Sequence, residues 1–144
     1  IRATGFNYEI MAQGKEKLMY YMDDYKRRKD ELSKAEQDTF KDMHNVLEMY
    51  ARGFEFVPID IYTAQAHRFK IVEGRLMAAL DTIDGVGASA AEQIEDAAKD
   101  GAYLSREDFR NRTKVSKTVV ESMDKLGLFG DLPQTNQLSI FDFA

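Results

Sequence analysis

The chain has 144 residues, of which 44% are apolar and 31% charged, with no cysteine and a formal net charge of −5. That length suits one ordinary domain, or two small units on a shared core, and is too short for a large catalytic assembly. The composition excludes a disordered chain, a disulfide scaffold and a thiolate metal site, and no run of about 18 apolar residues exists to form a membrane span.

The chain opens at Ile1, and Ile1-Arg2-Ala3 reads as the end of a strand whose earlier part is missing, so a piece of a longer protein is expected. No signal peptide is visible, and the expected compartment is the cytoplasm. His44 and His67 are the only histidines and stand far apart without a partner pattern, so no zinc site is expected.

Leu18, Met22, Tyr25 and Leu32 recur at helical spacing after Gly14, which predicts a helix over about 15–31. Lys26, Arg27, Arg28 and Lys29 crowd its other faces, but Asp23, Asp24, Asp30 and Glu31 flank them, and the cluster reads as a solvated surface. Ser33-Lys34-Ala35-Glu36 has the form of a capping box and predicts a second helix with Phe40, Met43, Leu47 and Tyr50 as its apolar stripe and Gly53 as its stop. The two helices are expected to form an antiparallel hairpin.

Phe54-Glu55-Phe56 and then Val57, Ile59 and Ile61 alternate with a parity shift at Pro58, which predicts an irregular edge strand. Arg68 to Val72 and Arg75 to Met77 flank Glu73-Gly74 and predict a β hairpin. The expected fold class is therefore mainly α with a small β hairpin.

Ile83-Asp84-Gly85-Val86-Gly87 precedes a helical run with Ala91, Ile94 and Ala98 on one side and Gly101 at its end. This is the hairpin and second helix of a helix-hairpin-helix motif. Glycines there let the backbone turn without a Cβ in the way, so that amides of Gly85, Val86, Gly87, Ala88 and Ser89 can face a phosphate. Such a contact reads no base sequence. A plain turn before a capped helix is the alternative, and Asp84 is a carboxylate beside the expected anion.

Ser105 is placed to cap one helix and Ser116 another, on which Val119, Met123 and Leu126 share a face. This pair resembles a degenerate second copy of the motif. Lys114, Ser116, Lys117 and Thr118 surround a helix N-terminus where a second phosphate could bind, or Ser116 is a simple cap and the lysines are solvated. Between Ser105 and Lys117, five cations (Arg106, Arg110, Arg112, Lys114, Lys117) face two anions (Glu107, Asp108), a local basic excess within an acidic chain. After Pro133 and a polar run comes Gln137-Leu138-Ser139-Ile140-Phe141, an apolar tail that either packs on its own domain or fills a partner's pocket.

Taken together these residues resemble the PolC-type DNA polymerase III α subunit family of low-GC Gram-positive bacteria. Residues 1–12, with Arg2-Ala3, Phe6 and Glu9-Ile10-Met11, are similar to the stretch near the end of that family's fingers region. Arg52-Gly53-Phe54 and Ile59-Asp60-Ile61-Tyr62 are similar to the lead-in to its duplex-binding domain, and Ile83 to Gly87 to its hairpin. Gln137-Leu138-Ser139-Ile140-Phe141 is similar to its C-terminal clamp-binding pentapeptide. The chain departs from the family at Ala78-Ala79 and at Asp84, where prolines are usual.

The resemblance implies three parts: residues 1–53 as the end of the fingers, 54–132 as a helix-hairpin-helix duplex-binding domain, and 133–144 as a flexible clamp-binding tail. It implies duplex DNA and the bacterial β sliding clamp as partners, with no membrane. It also implies nucleotidyl transfer by the parent protein, with Mg²⁺ on palm carboxylates outside this stretch; no catalytic or metal-binding residue is identified here. Two other classes stay open, a helix-hairpin-helix module of a repair or recombination protein and a helical scaffold in which Gly85 and Gly87 only shape a turn.

Overall fold

A computed structural model of the chain describes residues 5–135. Asn7 caps a short helix α1 (Tyr8–Met11) through its side-chain oxygen, and α2 (Lys15–Arg27) follows, continued after Arg28 by a 3₁₀ turn at Lys29–Glu31. The predicted capping box is present at the start of α3 (Lys34–Ala51): the Ser33 hydroxyl accepts from the Glu36 amide and the Glu36 carboxylate accepts from the Ser33 amide. At the far end the Gly53 amide donates to the Tyr50 carbonyl and the Phe54 amide to the Met49 carbonyl, closing the helix with a Schellman pattern.

α2 and α3 run antiparallel. Tyr25 and Arg28 at the end of α2 lie beside Phe40 and Glu36 near the start of α3, while the Tyr50 hydroxyl at the end of α3 donates to the Met11 carbonyl and accepts from the Gly14 amide. Leu18, Met22, Leu32 and Met43 are buried as the periodicity implies, and Val46 joins them between the predicted stripe positions.

The β element has three strands, β1 (Phe56–Val57), β2 (Lys70–Val72) and β3 (Arg75–Met77). β2 and β3 form the predicted antiparallel hairpin, and both turn residues, Glu73 and Gly74, have positive φ (51° and 81°), as a type I′ turn requires. β1 lies on the edge, as its irregular pattern implies, but pairs parallel to β3 with Phe56 beside Leu76 and Val57 beside Met77. The hairpin is thus part of a three-stranded sheet, because a third segment arrives from the end of α3 with its backbone groups free.

A 3₁₀ turn at Leu80–Thr82 leads through residues 83–87 into α4 (Ala88–Ala97), extended by a 3₁₀ turn at Ala98–Asp100. Ala97, rather than the expected Ala98, continues the buried face of Ala91 and Ile94, since the helix tightens at its end. Two further helices, α5 (Arg106–Thr113) and α6 (Lys117–Lys125), are capped by Ser105 and Ser116 as expected. One apolar core runs from Phe6 to Phe129. Phe6 stands 5.3 Å from Phe56 and 5.0 Å from Phe69, and a second aromatic row links Tyr62, Tyr103, Phe109 and Phe129 at 4.9–5.4 Å between ring centres. Pro133 and Gln134 lie against the start of α5, where their carbonyls accept from the amides of Arg106 and Glu107.

Candidate nucleic-acid interface

The two glycines of the first hairpin have unequal parts. Gly85 has φ +88°, a conformation that L side chains rarely adopt. Gly87 has φ −76° and ψ 177°, extended backbone open to any residue, and a Cβ there would meet nothing within 4 Å. The expectation that backbone conformation demands glycine at both positions therefore holds at Gly85 and is corrected at Gly87. Between them Val86 is buried and donates its amide to the Ile83 carbonyl at 3.0 Å, pinning the turn to the core.

Gly87 is the N-cap of α4, provides no side-chain acceptor, and the first turn of that helix holds no acidic residue. A helix start of this kind presents donor amides and partial positive charge to solvent at Ala88 and Ser89, both exposed.

The same local geometry recurs 29 residues later, as a comparison of Gly85-Val86-Gly87 with Lys114-Val115-Ser116 shows. Lys114 is left-handed (φ +61°) like Gly85, Val115 is buried like Val86, and Ser116 is an extended N-cap (φ −72°, ψ 161°) like Gly87. The repeat is thus degenerate in sequence and close in backbone. α5, this turn and α6 form a complete second unit, whereas the first unit has only the 3₁₀ turn at Leu80–Thr82 before its hairpin.

The two starts differ in one respect: the Ser116 hydroxyl accepts from the Val119 amide at 3.2 Å, so α6 is capped by its own side chain. Lys114, Ser116, Lys117 and Thr118 are all exposed around it. The units are brought together along α6, since a Cβ built on Gly85 would stand 3.7 Å from the Ser122 hydroxyl oxygen.

The five cations counted in sequence divide sharply. Arg106 bonds Asp124 at 2.8 Å, and Arg112 donates to the carbonyls of Ala97, Gly101 and Ala102 while lying 4.4 Å over the Tyr103 ring. Both serve the fold. Lys117 lies 3.9 Å from Glu121, while among the described residues Arg110 and Lys114 make no ion pair. Of these five, Arg110, Lys114 and the loosely paired Lys117 are therefore the ones left to a ligand. On the other side, a groove of about 710 Å³ beside the first hairpin is lined by Asp38, Asp42, Asp81 and Asp84.

His67 was not foreseen in any role. Its Nδ1 is 2.8 Å from Asp81 and its Nε2 2.8 Å from Glu92, which ties the loop before β2 to the residues flanking the hairpin. Nothing local in sequence signals this, since the partners lie 14 and 25 residues away. Among the described residues no group of three or more His, Asp or Glu is placed to hold a metal ion. Nor is any helix there long and apolar enough to cross a membrane. The tail residues Gln137, Leu138, Ser139, Ile140 and Phe141 lie outside the described residues.

Residues 53–138 match the family described as a helix-hairpin-helix motif. Over 141 residues the chain is 38% identical to the DNA polymerase III PolC-type of Caldanaerobacter subterraneus subsp. tengcongensis, covering 98% of this chain and 10% of that protein. It is 38% identical over 144 residues to the protein of the same name from Streptococcus pneumoniae serotype 2 and 39% identical over 144 residues to that from Streptococcus agalactiae serotype III, each with 99% of this chain and 10% of the relative covered. The chain therefore spans a tenth of the length of the curated relatives it matches.

Proposed function

We propose that this chain, which belongs to the helix-hairpin-helix motif family, binds duplex DNA through its phosphate backbone, without reading bases, as part of a replicative polymerase of the PolC type. The observation that carries this reading is the repeated turn. Two exposed left-handed residues, each followed by a buried valine and an extended N-cap, aim two helix starts outward, one uncapped at Gly87 and one beside Lys114 and Lys117. Backbone amides and point charges of this kind recognise phosphates and leave base edges unread. The polymerase setting is supported by the relatives' names and by the near-complete coverage of this chain.

Affinity should lie in the range of non-specific complexes, about 10⁻⁴ to 10⁻⁶ M, because the basic excess around the hairpins is small and the chain carries a net charge of −5. The test is a titration of the chain with duplexes of unrelated sequence across several salt concentrations. Affinity independent of sequence, with a log-log salt slope that drops by about 2 when Lys114 and Lys117 are both changed to Gln, is the expected result. Sequence-selective binding, or an unchanged slope in that variant, contradicts it.

The tail supports a second contact of the same protein. Leu138, Ile140 and Phe141 form an apolar triplet after the polar run that follows Pro133, with Gln137 and Ser139 as polar companions, and this pattern suits a pocket on the bacterial sliding clamp. Changing Leu138 and Phe141 to Ala should abolish capture of the chain by that clamp and leave duplex affinity intact. Retained capture in this variant would remove the tail from the reading.

A further inference from the structure

The first hairpin has two flanks of opposite electrostatic character. On the α3 side is the groove of about 710 Å³ with Asp38 and Asp42 from α3, Asp81 from the 3₁₀ turn before the hairpin and Asp84 from the hairpin, and no Lys or Arg lines it. The positive partners of these four are Lys34, 3.6 Å from Asp38, and His67 on Asp81. On the α6 side is a cleft of about 390 Å³ whose walls include Lys17 of α2, Lys125 and Ser122 of α6, and Asp84 and Glu9. Lys17 and Lys125 are exposed and, among the described residues, neither has a carboxylate within ion-pairing distance.

A phosphodiester chain held at Gly85 to Gly87 borders both flanks, since Asp84 next to the turn lines the groove on one side and the cleft on the other. On the α3 side it meets a row of carboxylates. On the α6 side two ammonium groups offset Glu9 and Asp84, and the Ser122 hydroxyl, 3.7 Å from where a Gly85 Cβ would stand, adds a donor next to the turn.

We propose that duplex DNA passes the first hairpin over the α2–α6 flank, with Lys17 and Lys125 contacting phosphates, while the α3 flank repels the strand and fixes its direction. The proposal rests on the reading of the hairpins as phosphate sites and extends it in one respect. Lys17 lies outside residues 53–138, so the helices before the matched region belong to the interface. It also answers the difficulty of Asp84: a carboxylate beside the turn is tolerated where two lysines share its cleft.

The test uses the whole chain and a random-sequence duplex, with salt slopes for four proteins: the parent, K17Q/K125Q, K114Q/K117Q and D38N/D42N. Five of the six positions are exposed and Asp42 is half-buried in the groove wall, and circular dichroism checks that each variant is folded. The expected result is a slope reduced by about 1 per lysine in both lysine variants and unchanged in D38N/D42N. A K17Q/K125Q slope equal to the parent's, with K114Q/K117Q still reduced, overturns the path and leaves the hairpin reading standing. A slope altered by D38N/D42N alone puts the strand on the wrong flank and overturns it equally. A parent chain with no salt-dependent binding overturns both.

Discussion

At the scale of single residues, His67 has the most direct consequence. Its imidazole is held by carboxylates at both nitrogens, and its pKa is raised above the ordinary value near 6.5, first by the hydrogen bond to Asp81 and then by that to Glu92. Glu95, Lys99 and Arg68 line the same surface groove. A raised folded pKa means that the contribution to stability is complete below the unfolded value and is lost as pH rises through the folded one. Urea unfolding of the parent and of His67→Gln should therefore differ at pH 5.5 and converge by pH 9; an equal difference at both pH values contradicts the ion-paired clasp. The sequence carried no sign of this residue's role, because its two partners become neighbours only when the loop before β2 folds onto the start of α4.

At the scale of elements, the legible features were those written in a few consecutive residues. The Ser33 capping box and the caps at Ser105 and Ser116 each depend on a side chain and a backbone group three residues apart, the turn at Glu73-Gly74 on two adjacent residues with positive φ, and each is found. The parallel pairing of β1 with β3 was not legible, since it joins residues about twenty apart that share no local pattern. The structural role of Arg112, counted only as one of five cations in a basic excess, was not legible for the same reason. Its guanidinium gathers three carbonyls at the end of the α4 segment and stacks on Tyr103, which ties α4 to α5. Lysine has the charge but not the planar fork. Arg112→Lys should lower the unfolding free energy by about 1–2 kcal/mol, read from denaturant midpoints, with no change in the slope of duplex binding against salt. A neutral result would mean that the fork contributes nothing to holding the two helices.

At the scale of the whole molecule, the helices before residue 53 and the region after it are not independent bodies. Phe6 packs on Phe56 and Phe69, the Tyr8 hydroxyl accepts from the Ile59 amide, and Tyr50 packs on Phe56 at 5.7 Å. Removing residues 1–53 strips these partners from the sheet and exposes apolar surface that a small unit can ill spare. The truncated chain 54–144 should lack a cooperative thermal transition by circular dichroism, whereas an intact transition would mean that the later helices fold alone.

The central claim is that the start of α4 is left uncapped for a phosphate, and Gly87→Asp tests it most directly. The backbone there is already extended and the space beside it is open, so a carboxylate can cap the helix without strain. Stability should rise by about 0.5–1 kcal/mol as the free amides gain an acceptor and the helix dipole a countercharge. Duplex affinity should fall about tenfold or more as the same amides are occupied and the site turns repulsive. A variant that gains stability and binds duplex as the parent does would show that this turn only shapes a helix start, and would contradict the account.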